Sequence, residues 1–181
     1  MTWSPFACLD RETILLRVSR AWSWVFRVLY AFLGLVDPLI RSWFESFGLG
    51  NVVEVRLVGR RSGRPRTVLL GLLRTTDQLY LGHPNGEVAW TLNLASAGRG
   101  ELRWHQGPAL EFRPVRLADG NEREAAIQAT DQHPFPGNVI YRAGRGHIRE
   151  VGVYFRLEPL AESQLKLAER DLEPVTTTPD R

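Results

Sequence analysis

Short segments with the signature of β-strands occupy most of the chain from Asn51 onward. Val53, Val55 and Leu57 stand at every second position of the first segment, and a period of two predicts a strand that buries one face. Five further segments have strand character, and they are 67–73, 78–82, 101–105, 109–117 and 150–157. Most are separated by short turns, whereas parallel strands need crossovers of a dozen or more residues. The pattern predicts a six-stranded antiparallel β-barrel in a mainly β (α+β) chain.

The stretches between these segments carry helix and loop signals. The nearly all-apolar segment 67–73 is predicted to be a buried strand, and 88–97 a short helix. Asp119 is the predicted N-cap of a helix over 122–130, with Glu122 as its capping-box partner. Segment 133–146 holds two prolines and three glycines, which predicts a long loop.

The first fifty residues have a different periodicity. From 14 to 36 the few polar residues include Arg17, Arg20, Ser23 and Arg27, whose spacing of three or four collects them in one stripe of a helix and leaves the rest for burial. This helix can pack on protein, lie in a membrane interface or span a membrane. A span needs about 18 to 20 apolar residues, and Arg27 limits the uninterrupted run to 28–36. Arginines beside a broad apolar face suit an anionic lipid interface.

We expect three regions: a helical extension over 1–50, a barrel domain over 51–160 and a polar, disordered tail over 161–181. The extension contains a second, short helix over 37–47. The single cysteine, Cys8, excludes an intrachain disulfide and is typical of a reducing cytoplasmic interior. Attachment to lipid through 14–47 would place the chain at the inner face of the cell membrane. Packing of the apolar helix on a second subunit would instead give a homodimer.

Several functional classes lack their motifs. The four histidines, His83, His105, His133 and His147, stand 14 or more residues apart, so no pair has the close spacing of a metal site on one helix or hairpin. There is no G-x-S-x-G elbow, no Walker loop and no G-x-G-x-x-G after a strand. These absences argue against α/β-hydrolase, P-loop and Rossmann chemistry.

The turn between the first two predicted strands concentrates positive charge. It carries four arginines, Arg60, Arg61, Arg64 and Arg66, together with Gly59 and Gly63. Guanidinium groups bind phosphate and carboxylate in a bidentate fashion, and glycine lets the backbone approach a ligand closely. Arg60 and Arg66 are expected near facing positions of the hairpin, where they would clamp an anion. The alternative is a solvated tip whose charges discourage edge pairing.

Two motifs resemble those of the deazaflavin-dependent nitroreductase family. The string G-R-R-S-G-R-P-R over 59–66 is similar to that family's first-loop pattern, and Trp90 with Asn93 and Leu94 is similar to its W-x-x-N-L helix motif. The resemblance covers about 53–117. It implies a flavin-reductase-like split β-barrel and a cofactor such as coenzyme F-420, a deazaflavin with a phosphodiester and a glutamate tail.

The resemblance also implies roles for particular residues. Arg60 and Arg66 would hold the phosphate and tail, with help from Ser62 and Gly63. The turn containing His83, Asn85 and Gly86 would pass under the cofactor, and Trp90 would pack against cofactor or substrate. Tyr141, in the predicted loop, would donate a proton, with His83 and His133 as other titratable groups. Core packing is the alternative for Trp90, and a packing or surface position is the alternative for Tyr141. Asn93 is expected to fix its helix to the barrel.

This sequence departs from the family pattern in two places. The second loop has His83 or Pro84 where a lysine is usual, and Thr91 follows Trp90 where tyrosine is common. The implied activity is hydride transfer from F-420 to an apolar acceptor such as a quinone, nitroaromatic or enone. A non-catalytic binder of haem, FMN or fatty acid is the alternative. Nucleic acid is a weaker candidate, because no aromatic stacking platform accompanies the arginines.

Overall fold

Six antiparallel strands form a closed barrel in the computed structural model, which describes residues 19–32, 50–105 and 107–160. The strands are β1 (Val52–Val58), β2 (Pro65–Arg74), β3 (Leu79–His83), β4 (Gly100–Arg103), β5 (Ala109–Arg116) and β6 (Val153–Pro159). They follow the order β1-β2-β3-β6-β5-β4, and pairing of β1 with β4 closes the barrel. The predicted six-stranded antiparallel fold is confirmed, and the architecture is that of an α+β split barrel.

The barrel interior is filled by the inward-facing side chains of all six strands. Val53, Val55 and Leu57 are at most 4% exposed, which confirms the alternation predicted for β1. Burial of each such side chain contributes about 1.5–3 kcal/mol. The prediction for β2 is wrong in part, because only Leu72 and Leu73 are buried. The first half of β2 pairs with β1 and leads into the exposed turn, so Pro65 and Arg66 are exposed and the residues from 67 to 71 are only partly buried.

Five helices of the described chain pack against the barrel at two different places. They are α1 (residues 19–32), α2 (Ala89–Ala97), α3 (Asn121–Gln128), α4 (Gly137–Ala143) and α5 (Arg145–Val151), with a 3-10 turn at Ala129–Gln132. Phe26 of α1 is fully buried among Tyr80, Tyr141, Ile148 and Tyr154 in a second apolar cluster. This cluster joins four of the helices to the outer surface of β3 and β6, whereas Leu94 of α2 belongs to the cluster that fills the barrel interior.

The long loop predicted over 133–146 is wrong. Its prolines and glycines instead mark helix ends: Pro136 precedes α4, and Gly144 separates α4 from α5. Proline at a helix start and glycine at a helix end are both compatible with helix termini. Because α5 continues to Val151, β6 begins at Val153, three residues later than the sequence predicted.

The predicted start of α3 is also wrong. Gly120, with φ +158°, precedes the helix, and no side chain caps it. Asp119 forms an ion pair with Arg123, one helical turn away. The Glu122 carboxylate accepts hydrogen bonds from Arg156 on β6. Both carboxylates are therefore used by arginines, and neither closes a capping box.

The helix α1 exposes more apolar surface than its sequence predicted. Trp24, Val28 and Phe32 are 66%, 47% and 60% exposed, although only a polar stripe was expected at the surface. None of the helices in the described ranges is long and apolar enough to cross a membrane. The predicted helix over 37–47, most of the remaining extension and the tail over 161–181 lie outside the described residues. The division into three regions stays a prediction.

Candidate functional site

The turn between β1 and β2 is closed by its own backbone. The Gly59 N–H donates to Arg64 O at 2.9 Å, and the Gly63 N–H donates to Gly59 O at 2.8 Å. Gly63 has φ +63°, a left-handed conformation that favours glycine. A Cβ atom at Gly59 would lie 2.9 Å from Ser62 Oγ. Both glycines of the motif are thus needed for this turn conformation.

The strand register corrects the predicted position of the arginine clamp. Arg66 on β2 pairs with Leu57, and Val58 pairs with Pro65. Arg60 lies beyond the end of β1, within the turn, so Arg60 and Arg66 do not face each other across the hairpin. Both nevertheless line one depression. The turn itself, and not a cross-strand pair, places both arginines at this depression.

This depression has a volume of about 210 Å³ and lies between the turn and α2. Its lining residues are Gly59, Arg60, Arg61, Ser62, Arg66, Ala89 and Asn93. Asn93 Oδ1 accepts a hydrogen bond from the Arg60 N–H at 3.2 Å, which confirms that Asn93 fixes its helix to the barrel. Ala89 is the first residue of α2, and no acidic residue occupies the first turn. The positive end of the helix dipole therefore faces the same space as the arginines.

Thr91 explains one departure from the family motif. It is 2% exposed, and its Oγ1 accepts the Val88 N–H at 2.9 Å and donates to Val88 O at 2.8 Å. These two bonds secure the start of α2 where Val88 has no polar side chain. A larger residue at position 91 would displace this local closure.

The arginines of the turn differ from most others in the described chain. Nine arginines form ion pairs with Asp or Glu, namely Arg56, Arg103, Arg113, Arg116, Arg123, Arg142, Arg145, Arg149 and Arg156. Arg60, Arg61, Arg64 and Arg66 are all exposed, and none forms an ion pair with a described residue. Glu87, close to α2 in sequence, is paired with Arg116 at 2.6 Å. Four uncompensated cations thus share one turn.

The other predicted cofactor contacts lie in an internal hydrogen-bond network. His83 is 5% exposed, and its Nδ1 lies 3.2 Å from Gly86 O and 3.3 Å from the Asn85 N–H. The Asn85 side chain donates to Ser23 O at 3.3 Å and accepts from His147 Nε2 at 3.0 Å. His83, Asn85 and Gly86 are therefore used to hold α1 and α5 against β3. None of the three lines the depression at the arginine turn.

Burial sets the titration of this network. It lowers the pKa of His83 to about 4, an effect that the hydrogen bond to Gly86 opposes. Burial lowers the pKa of His147 and of His133 as well. Because His147 Nε2 donates to Asn85 Oδ1, its Nδ1 is the acceptor for the Ser19 hydroxyl at 3.0 Å. These histidines are neutral at pH 7 and serve as packed, hydrogen-bonded groups.

Trp90 and Tyr141 also occupy packing positions. The Trp90 ring lies 6.3 Å from His83 and 6.4 Å from Phe155, against the barrel core. Tyr141 was predicted in a loop, but it lies on α4, 9% exposed, with its hydroxyl 2.6 Å from that of Tyr30. Burial raises the pKa of Tyr141. The described structure gives Tyr141 a partner on α1 and no place at the arginine turn.

A second depression, of about 300 Å³, lies at the opposite end of the β1–β2 hairpin. It is lined by Gly50, Asn51, Leu72, Arg74 and Trp104. Its one cation, Arg74, lies over the Trp104 ring at 5.8 Å from the centroid. No group of three or more potential metal ligands occurs among residues 19–32, 50–105 and 107–160. The arginine turn is therefore the described position best suited to an anion.

Comparison with known proteins finds similarity of structure only. No protein-family model and no curated protein sequence matches the chain. An F-420-H2-dependent reductase (FDR-A) is 16% identical, covering 60% of this chain and 94% of that chain, with a TM-score of 0.47. HutZ, a haem-storage protein from Vibrio cholerae, is 12% identical, covering 69% and 90%, with a TM-score of 0.46. An FAD-binding protein from Mesorhizobium loti is 18% identical, covering 61% and 81%, with a TM-score of 0.42. At these values the three neighbours assign no function to this chain.

Proposed function

We propose that the depression beside the β1–β2 turn binds the phosphate-bearing part of a deazaflavin, and that the chain is an F-420-dependent reductase. The carrying observation is the set of four exposed arginines without an acidic partner in the described chain. Like charges so close together repel one another. A bound anion would remove this repulsion, whereas an empty solvated tip would not.

The lining of the depression suits a phosphate group in particular. Arg60 and Arg66 supply guanidinium forks, Ser62 supplies a hydroxyl, and the start of α2 supplies backbone N–H groups. Hydrogen bonds to charged groups contribute about 1.5–3 kcal/mol each, so two arginines supply about 3–6 kcal/mol. Micromolar affinity requires roughly 8 kcal/mol, and the other contacts must supply the remainder.

The size of the depression limits which part of the cofactor it can hold. Pockets for drug-sized ligands have volumes of about 300–1,000 Å³, and this one has about 210 Å³. It accommodates a phosphodiester with adjoining atoms and not a whole deazaflavin with its tail. When bound, the deazaflavin supplies the hydride. The chain's residues hold its phosphate and orient the ring toward an acceptor such as a quinone, nitroaromatic or enone.

Titration of the full-length protein with coenzyme F-420, FMN and haem tests this proposal. Fluorescence and absorbance are expected to show binding of F-420 below about 100 μM, a threshold that corresponds to roughly 5.5 kcal/mol. The double substitution Arg60→Ala with Arg66→Ala should weaken binding on the order of 100-fold or more, because two charge-assisted contacts are lost. Oxidation of reduced F-420 by a quinone then reports the reductase activity.

A matched control separates local contacts from net charge. Arg99→Ala with Arg103→Ala removes the same charge from exposed positions that do not line the depression, and this variant should bind F-420 like the natural chain. An equal loss of F-420 affinity in both variants would show that net charge, and not contacts at the arginine turn, is responsible for binding. Binding of haem or FMN in preference to F-420, without reductase activity, would establish the non-catalytic alternative instead.

A further inference from the structure

Half of the strongly exposed large hydrophobic side chains of the described chain lie on one helix, α1. Six large hydrophobic residues in the described ranges are strongly exposed, and three of them, Trp24, Val28 and Phe32, lie on α1. Their spacing of four residues places them along one stripe of the helix. The opposite face of α1, with Phe26 at its centre, is packed against α4 and α5. The helix thus has two apolar faces, of which the barrel and its helices cover one.

Two more of the six exposed residues lie at α4, away from the Tyr141 side that faces α1. Phe135 is 80% exposed and Val139 is 55% exposed. They belong to α4 and the residues just before it, which contact α1 through the Tyr30–Tyr141 hydroxyl pair. Exposed apolar side chains that stand together, as the three on α1 do, mark an interaction surface more often than single ones do.

The charges on α1 indicate what kind of surface it meets. Arg20 and Arg27 are exposed along one edge of the stripe and form no ion pair with the described chain. From 13 to 36 the sequence has no Asp or Glu. A two-fold contact between copies would bring four such arginines together without an acidic partner. An anionic lipid surface would instead attract both charges.

We propose that the exposed stripe of α1 docks on an anionic lipid surface. Trp24, Val28 and Phe32 insert into the headgroup and acyl boundary, where apolar side chains of interfacial helices are buried by about 5–10 Å. Arg20 and Arg27 extend to the lipid phosphates from the edge of the stripe. The packed face, anchored by Phe26, remains in place, so docking needs no unfolding of the cluster. This inference does not depend on the identity of the cofactor.

Sedimentation with vesicles tests the inference on the full-length protein. Vesicles with about one-third phosphatidylglycerol in phosphatidylcholine should bind the protein, and pure phosphatidylcholine vesicles should bind it at least tenfold more weakly. Arg20→Ala with Arg27→Ala is expected to weaken binding on the order of 30-fold, from about 1 kcal/mol for each basic residue near an anionic surface. Trp24→Ser with Phe32→Ser should weaken binding to both vesicle types by a similar factor or more. All four positions are exposed, so these variants should stay folded.

Two controls distinguish the surface from the arginine turn. Val58→Ser alters an exposed apolar residue on β1, 42% exposed, and should leave vesicle binding unchanged. The double variant Arg60→Ala with Arg66→Ala should lose F-420 binding and retain vesicle binding. Vesicle binding lost in this variant but kept in the α1 variants would overturn the inference. A concentration-dependent dimer that Trp24→Ser with Phe32→Ser dissociates, without vesicle binding by the natural chain, would overturn it in favour of a second copy.

Discussion

Acidification is expected to destabilise this protein well above the pH at which its carboxylates titrate. Burial holds the pKa of His83 at about 4 in the folded chain, whereas an unfolded histidine titrates near 6.5. The unfolded state therefore binds a proton below about pH 6.5, and the folded state binds it only below about pH 4. The free energy of unfolding must fall as pH decreases through this window, and the loss levels off below the folded pKa.

The size of this effect follows from the two pKa values. The difference between these two pKa values corresponds to roughly 3 kcal/mol at full protonation, most of which is lost by pH 4.5. Burial also lowers the pKa of His133 and His147, so the total loss exceeds the part due to His83. Ion pairing with Arg149 lowers the pKa of Glu124 to about 2. The stability that this carboxylate contributes is lost only below its usual pKa of about 4.5, which lies mostly outside the window.

Urea unfolding of the full-length protein at pH 8, 6, 5 and 4.5 measures this dependence. His83→Gln removes the titrating ring, so its free energy of unfolding should fall by about 2–3 kcal/mol less over this range than that of the natural chain. Leu102→Val, in the barrel core at 0% exposure, should lower stability by about 1 kcal/mol at every pH. Parallel curves for the natural chain and His83→Gln would refute the assignment of a depressed pKa to His83.

Two further predictions concern packing around the helices. Gly82→Ala would place a Cβ atom 2.3 Å from a ring carbon of Tyr154 and should lower stability by about 1–3 kcal/mol. Gly146→Ala lies in α5 with no neighbouring atom within 4 Å and should raise stability by about 0.5–1 kcal/mol. Thermal unfolding of both variants shows whether the two changes have opposite signs. Tyr30→Phe and Tyr141→Phe should each cost about 1–3 kcal/mol, since each leaves the other buried hydroxyl without its partner. The double variant should cost less than the sum in a double-mutant cycle, and strict additivity would argue against the pair.

The barrel was predictable because its determinants are local. The period of two at Val53, Val55 and Leu57 specifies which face of β1 is buried, whatever the rest of the chain does. Gly59 and Gly63 fix the turn that joins β1 to β2. The arginine turn was predictable for the same reason, because its charges stand next to one another in the sequence. Its geometry was not, since the register places Arg66 beside Leu57 and Arg60 beyond the strand.

The helices α4 and α5 were not predictable from local signals. Each has seven residues, and isolated helices shorter than about 12 to 15 residues are marginal in water. They form because Tyr141 and Ile148 are buried beneath Phe26 of α1. Phe26 lies more than 100 residues earlier in the chain, so no pattern within 133–146 predicts this packing. The hydrogen bond between Ser19 and His147 was not predictable for the same reason, since 128 positions separate them in the sequence.

The residues between β3 and α2 support the proposed anion site although His83, Asn85 and Gly86 do not line it. The turn from Gly82 to Gly86 was predicted to lie under a cofactor, but Asn85 binds the backbone of α1 and the ring of His147. Four residues later Ala89 begins α2 and lines the depression at the arginine turn. One short segment therefore holds the helix that carries the proposed lipid-binding stripe and also positions the helix end that completes the proposed anion site.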